Sequence, residues 1–206
     1  MSPDEAAHPG DGPSHLTPVA GGPAGTVLMI GVAIGIPEPF ASELRSWRRR
    51  AGDPQAELVP PHVTLLPPTE VAVGRIAAVE EHLGAVAGGH GPFEMRLSGT
   101  GTFRPVSEVV FVVVSAGIAA CELLERDVRS GPLDRRVAFP YHPHVTVAHG
   151  VPAVRLEAAY EGLGGYRAGF FVSVFTMFEQ GTDGVWQRRR DFTLTGAAGR
   201  SVGACR

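Results

Sequence analysis

Lysine is absent from the chain, and all 18 basic residues are arginine. This absence excludes a lysyl nucleophile, including the one that covalent nucleotide ligation with ATP requires. It also excludes a P-loop, in which a lysine contacts the phosphates. Arginine can still bind phosphate through paired hydrogen bonds and can stack on bases. Because the net charge is −3, we do not expect a long nucleic-acid footprint.

Cysteine and long apolar runs are also scarce. The two cysteines, Cys121 and Cys205, make no disulfide framework, because Cys121 falls on the apolar face of a predicted helix. We therefore expect a reducing, cytoplasmic location. The apolar run at 27–36 is too short to span a bilayer, and no basic segment precedes it as in a signal peptide. We interpret this run as a buried strand and expect no membrane partner.

Large apolar residues are nearly missing from the first 25 residues, which hold five prolines and five glycines. Such a composition cannot bury enough apolar surface to fold. We therefore predict a disordered tail at 1–25 and a similar flexible tail at 196–206. Residues 26–195 are numerous enough to bury a sizeable core as a single domain of two packed lobes.

What the chain does contain is a repeated tetrapeptide. His62-Val63-Thr64-Leu65 returns as His144-Val145-Thr146-Val147, and a proline precedes each copy. Side chains on a strand alternate between two faces. Each copy thus predicts a strand with one aliphatic face and one face that bears an imidazole and a hydroxyl. Two such strands across a cleft would surround a small anion with groups suited to acid–base catalysis on a phosphate.

The repeat extends beyond the tetrapeptides. The motif histidines are 82 residues apart, and apolar runs that begin at Thr26 and Glu108 have the same separation. Each run precedes a helical pattern, a motif strand and a second helical pattern. We predict two duplicated units, at 26–90 and 108–165, with the motif strands near a pseudo-two-fold axis. The apolar positions of the predicted helices are Phe40, Leu44 and Trp47; Val73, Ile76, Val79, Leu83 and Val86; Ile118, Cys121, Leu124 and Val128; and a weaker set within 153–163.

Paired His-x-Thr-x motifs at matching places in a duplicated α+β unit resemble the 2H phosphoesterases. Within that superfamily, the chain resembles the 2′-5′ RNA ligase branch between residues 26 and 194. Supporting stretches lie at 60–65, 99–105, 141–147 and 186–194. The resemblance implies an α+β, bilobal fold in which two antiparallel sheets face each other across a central cleft, with the helices outside.

The resemblance also implies an activity, namely hydrolysis of 2′,3′-cyclic phosphates to 2′-phosphates without a metal or another cofactor. It makes His144 the general base that activates water and His62 the general acid, while Thr64 and Thr146 hold the phosphate. An imidazole pair can share these roles near neutral pH, and hydroxyl donors can stabilise the charge of the transition state. Reversal of such steps would join a cyclic phosphate end to a 5′-hydroxyl, which accounts for the ligase name.

Arginines and one phenylalanine are the remaining candidates for substrate contacts. Arg135 and Arg136 precede the second motif strand and are the best candidates to line a binding groove, together with Arg104. The other arginine clusters, at 45–50 and 188–190, are expected to form solvated faces. Phe103 has two equally supported interpretations, a surface on which a base stacks and a plug in the core.

Further histidines flank the second motif. His142 has the same parity as His144, so a regular strand would bring it to the cleft as a further candidate for substrate contact, although Pro143 can break that geometry. His149 falls on the opposite face. This alternation argues against a metal site made of His142, His144 and His149, because metal ligands on one strand would have to lie on the same face. Trp186, in the predicted closing hairpin, is expected to pack rather than to bind.

Two classes of function remain open at this point. One is the phosphoesterase, and the other is a protein that binds phosphorylated nucleotides or RNA ends in the same cleft without turnover. The presence of both histidines and both threonines favours the enzyme. Its substrate is open among a tRNA fragment, an oligonucleotide and a small cyclic nucleotide, and we expect a monomer.

Overall fold

The computed structural model of the protein describes residues 26–136 and 139–197. The tail predicted at 1–25 lies outside the described residues, as do residues 198–206 of the tail predicted at 196–206. Within the described part, no helix is long and apolar enough to cross a membrane. The elements are β1 (Val27–Gly35), α1 (Phe40–Ala51), β2 (His62–Ala72), α2 (Ile76–Gly89), β3 (Phe93–Thr102), β4 (Val109–Ala116), α3 (Ile118–Val128), β5 (His144–His149), α4 (Ala153–Gly162), β6 (Arg167–Val172), β7 (Val174–Gln180) and β8 (Trp186–Thr193).

The local sequence accounts for these elements. Strand β1 is buried throughout 30–34, as expected for a short continuous apolar run in the interior of a sheet. The four helices form where the apolar spacing predicts them, with two corrections. Val73 lies in a 3-10 turn before α2, and Ile118 is the first residue of α3; both side chains are exposed rather than part of the apolar faces. Helix α1 ends at Gly52, whose φ of 79° suits the left-handed cap, a conformation that glycine adopts without steric cost.

The strands form two four-stranded antiparallel sheets, ordered β2-β1-β7-β8 and β5-β4-β3-β6. The predicted α+β class and the predicted order of strand, helix, motif strand and helix in each unit are therefore confirmed. One feature was not predicted. The strand that follows the first unit, β3, pairs with β4 of the second unit, and β7 returns to pair with β1.

The helices are exchanged between the units in the same way. Helix α1 packs against β5 and α4, whereas α3 packs against β2 and α2. The contact between α1 and α4 is close, because a Cβ on Gly162 would lie 2.2 Å from the Trp47 ring. Buried side chains of both units form one continuous hydrophobic core. As a result, the motif strands β2 and β5, each at the edge of its own sheet, contact each other.

Candidate active site

The two motif histidines are held by the same backbone contact. Nδ1 of His62 lies 2.7 Å from the carbonyl oxygen of Pro60, and Nδ1 of His144 lies 2.7 Å from that of His142. In both motifs the acceptor is two residues upstream, with a proline in between. Because a carbonyl oxygen only accepts, Nδ1 is the donor in each ring. The Nε2 atoms are therefore the ones left to exchange protons with a bound molecule.

The second motif segment is tied directly to the first. The hydroxyl of Tyr141 donates to the carbonyl oxygen of Thr64 over 3.0 Å, and this contact joins residues 77 positions apart in the chain. Strands β2 and β5 also contact each other. The structure thus brings the two His-x-Thr motifs together, as the duplication predicts.

Burial lowers the pKa of both motif histidines. For His62, the loss of solvent is the largest cause; the hydrogen bond to Pro60 opposes it, and the charges of Arg48 and His144 lower the pKa further. For His144, burial again dominates, the hydrogen bond to the His142 carbonyl opposes it, and the charge of His142 adds to the decrease. Both pKa values fall below the ordinary 6.5, so both rings favour the neutral form near pH 7.

The two threonines of the motifs lie on the same strand faces as the histidines. Val63 and Val145 between them are fully buried, whereas Thr64 and Thr146 remain partly exposed. Neither threonine hydroxyl makes a hydrogen bond to any of residues 26–136 and 139–197. Each hydroxyl is therefore available to a bound anion, which is the role that the resemblance implies for it.

The wall beside the first motif is open. A cavity of about 220 Å³ borders His62 and Thr64. Its floor includes Gly31 and Ala33 of β1, and Ala33 pairs with Thr64 across the strands. Phe178 and Trp186 close its side. Trp186, expected only to pack, thus lines the site.

The wall beside the second motif is filled. Phe111 pairs with Thr146 at the position where the first half has Ala33 opposite Thr64. The Phe103 ring lies 4.5 Å from the Phe111 ring and meets the His144 ring edge-on at 5.0 Å between centroids. Gly101 permits this packing, since a Cβ there would lie 2.6 Å from Phe111. The two aromatic rings therefore cover the side of His144.

Two predicted substrate contacts belong to this aromatic cluster. Phe103 packs as a plug would, yet it is only half-buried, so both interpretations of this residue stay open. The His142 ring stacks near the His144 ring, with centroids 6.3 Å apart, and His142 is exposed. Pro143 has therefore not turned His142 away from the motif. His149, at the far end of β5, is exposed.

The predicted arginines lie at different distances from the motifs. Arg104 donates to Glu157 over 3.1 Å and to the Thr102 hydroxyl over 3.3 Å. Arg135 donates to the Thr69 hydroxyl over 2.8 Å, seven residues along β2 from His62, and Arg136 is exposed. Their contacts with a substrate stay predictions.

The environment of Arg48 was predicted wrongly. The residue was expected in a solvated cluster but is 4% exposed. Its Nε lies 2.9 Å from Asp53 Oδ2, and its Nη1 donates to the Val59 carbonyl oxygen over 2.7 Å. The signal was present, because position 48 continues the helical spacing of the buried residues Ala41, Leu44 and Ala51. A buried arginine thus braces the segment that leads to His62.

No three His, Cys, Asp or Glu side chains converge on a possible metal position within residues 26–136 and 139–197. The residues that gather at the site are imidazoles, hydroxyls and aromatic rings. Proton transfer and hydrogen bonding are the chemistry that this set can supply.

Comparisons with known proteins agree on one family. A family model described as the 2′-5′ RNA ligase superfamily matches residues 36–184. A protein of Halalkalibacterium halodurans with a provisional phosphoesterase name is 32% identical over 117 residues, which is 57% of this chain and 67% of that protein. A similarly named protein of Bacillus cereus is 26% identical over 124 residues, covering 60% and 71%.

Two solved structures resemble the whole described fold. E. coli LigT in its apo form superposes with a TM-score of 0.60 at 20% identity, covering 82% of this chain and 99% of LigT. TT0787 of Thermus thermophilus gives 0.54 at 23% identity, with coverage of 82% and 99%. At these identities the likeness concerns the fold.

Proposed function

The chain belongs to the 2′-5′ RNA ligase superfamily, with the bilobal fold that its resemblance to the 2H phosphoesterases predicted, and we propose that it hydrolyses 2′,3′-cyclic phosphates to 2′-phosphates without a metal. One observation carries this proposal most directly. Two imidazoles have identical Nδ1 anchors at 2.7 Å on contacting strands, so two Nε2 atoms are available for one substrate. The phosphoesterase names of the relatives support the same reaction class.

The proposed reaction is a single displacement at phosphorus. Nε2 of His144 takes a proton from water as the water oxygen bonds to phosphorus. The bond between phosphorus and the ribose 3′-oxygen breaks, and Nε2 of protonated His62 gives its proton to that oxygen. The phosphate stays on the 2′-oxygen. Thr64 and Thr146 donate hydrogen bonds to the non-bridging oxygens, where charge accumulates in the transition state.

The lowered pKa values suit this scheme once substrate charge is included. In the free protein both imidazoles favour the neutral form, which is the state a general base needs. A bound cyclic phosphate brings one negative charge, which favours protonation of a nearby imidazole. The two rings then titrate as a pair with values that belong to both. Substrate binding would thereby supply the acid while leaving the second ring as base.

The test is incubation with 2′,3′-cyclic mononucleotides in the presence of a chelator, followed by identification of the product isomer. We expect a 2′-phosphate, and we expect His62→Ala and His144→Ala to lower turnover about 10²–10⁴-fold each. The matched control is His149→Ala, which removes an exposed histidine from the far end of β5 and should leave turnover unchanged. A 3′-phosphate product, or a strict need for added metal, would count against the proposal.

The alternative function is binding without turnover. E. coli LigT has been solved with 3′-AMP and with phosphate, so a related fold holds such ligands. The alternative gains support if this protein binds a cyclic or terminal phosphate but converts none of the RNA ends, oligonucleotides or small cyclic nucleotides offered. The described residues favour the enzyme, because both pairs of histidine and threonine are present at the contacting strands.

A further inference from the structure

The two halves of the site differ in how much space they leave. Ala33 and Phe111 hold equivalent positions, opposite Thr64 and Thr146 respectively. Gly35 and Val113 are the corresponding pair opposite His62 and His144. In each pair the smaller side chain is on the His62 side. The two units share the same order of elements, yet the wall beside His62 is open and the wall beside His144 is filled.

The open wall has a distinct chemical character. Apart from His62, Thr64 and Gln55, the side chains that line the cavity of about 220 Å³ are aliphatic or aromatic. Trp186 and Phe178 give it two aromatic boundaries. Pockets for drug-sized ligands usually measure roughly 300–1,000 Å³, so this cavity suits a single ring system. Its occupant should therefore be flat, with apolar faces and few hydrogen bonds.

The direction of the proposed displacement at phosphorus determines which part of a substrate lies in the cavity beside His62. In an in-line attack, water and the leaving ribose oxygen are on opposite sides of phosphorus. If His144 activates water and His62 protonates the ribose oxygen, the nucleoside lies on the side of His62. Phe103 and Phe111 occupy the wall at His144, as suits a reactant as small as water, whereas the cavity at His62 can hold a larger group.

We infer that the cavity bounded by Gly31, Ala33, Phe178 and Trp186 binds the nucleobase of the nucleotide that carries the cyclic phosphate. This inference rests on the proposed function for the direction of the displacement. Besides the motif residues, the lining side chains that can hydrogen-bond to a base are Gln55, which is exposed, and Trp186, through its indole N–H. The base is thus held mainly by its faces, and purines and pyrimidines should both be accepted.

The experiment compares two substrates in one protein. The first is adenosine 2′,3′-cyclic phosphate, and the second is 1-O-methylribose 2,3-cyclic phosphate, which lacks a base. Stacking of a base on aromatic side chains should make kcat/KM of the wild type about ten- to hundredfold higher for the adenosine compound. Ala33→Leu should fill the cavity and lower kcat/KM more for the adenosine compound than for the base-free compound, so that most of this advantage is lost.

A second variant guards against misfolding. Trp186→Leu removes an aromatic boundary instead of filling the cavity, and it should raise KM more for the adenosine compound than for the base-free compound. Circular dichroism and thermal unfolding check the fold of both variants. The inference is overturned if the wild type treats the two substrates alike, or if both folded variants impair the two substrates equally.

Failure of the proposed function would be visible separately. If the wild type hydrolyses neither compound, calorimetry with adenosine 2′-monophosphate and with inorganic phosphate still tests the cavity. Tighter binding of the nucleotide that is lost in Ala33→Leu supports the nucleobase site in a protein that only binds. Equal affinity for the two ligands, or a nucleotide affinity that Ala33→Leu leaves unchanged, overturns it.

Discussion

Replacement of Arg48 by methionine should destabilise the protein strongly. The Arg48 and Asp53 side chains are 5% and 0% exposed, and they form an ion pair of 2.9 Å. Asp53 also accepts a hydrogen bond of 2.8 Å from the Gln55 backbone. Methionine retains the apolar stem but leaves the Asp53 carboxylate buried without its cation. Breaking a buried pair in this way costs about 3–5 kcal/mol, a large share of the roughly 5–15 kcal/mol that stabilises a typical domain.

The same change should disturb the first motif. Arg48 holds the Val59 carbonyl, and the next residue, Pro60, supplies the carbonyl that orients His62. Loss of this brace should lower turnover. Removal of the positive charge should also raise the pKa of His62, because that charge is one cause of its decrease. Among the described residues, His144 is the other group whose charge, when its ring is protonated, lowers this pKa.

Urea denaturation measures the first effect, and histidine NMR titration measures the second. A change in the midpoint at constant slope gives the difference in the free energy of unfolding. The double variant Arg48→Met/Asp53→Asn should cost less than the sum of the single changes, since no unpaired charge remains. Arg49→Met is the matched control. It removes the neighbouring arginine from an exposed pair with Glu57 and should change stability little. Equal losses in Arg48→Met and Arg49→Met would refute the reasoning.

Four further outcomes are expected. The double variant His62→Ala/His144→Ala should lose less turnover than the product of the single losses, because the residues act as a unit; strict multiplication would argue for independent roles. The pH optimum of kcat/KM should lie below 6.5, because both histidine pKa values are lowered in the free protein and one of the two rings must be protonated for the reaction. A kcat/KM that stays constant up to pH 8 would contradict this. As the pH falls through 6.5, the histidines of the unfolded chain bind protons more readily than the folded histidines do, so the free energy of unfolding should decrease. This decrease should be smaller in the double variant His62→Asn/His144→Asn. The same pH dependence in that variant and in the wild type would show that the two histidines do not cause it. Tyr141→Phe should lower the free energy of unfolding by about 1 kcal/mol, because the hydrogen bond to the Thr64 carbonyl is lost, and it should also lower turnover. Chemical denaturation and initial rates measure the two effects. An unchanged rate would show that this contact does not align the motifs.

The local sequence predicted the elements and the motif pair because both depend on short-range patterns. The alternation in His62–Leu65 specifies which side chains share a face, and the spacing of Ile76, Val79, Leu83 and Val86 specifies a helix. Two equal offsets of 82 residues then indicated the duplication.

Features that depend on distant partners were not predictable in this way. The pairing of β3 with β4 and of β7 with β1 is a choice between sheet edges that periodicity does not distinguish. The open wall at Ala33 depends on what lies opposite it, and Trp186 reaches it from the last hairpin. For Arg48, the helical spacing indicated burial, but the partners that make this burial possible, Asp53 and the Val59 carbonyl, lie in the following loop.

The exchange of strands and helices between the units has a consequence for how such a site becomes asymmetric. A polypeptide with one unit alone would lack the partner strand that its sheet needs, and it could obtain it only from a second copy, as in domain swapping. In such a homodimer, every substitution would occur twice. A phenylalanine opposite one threonine would also stand opposite the other, and the two pockets would open or close together. Covalent linkage of the units removes that constraint, so one histidine can lie beside an open cavity while its counterpart lies against aromatic rings.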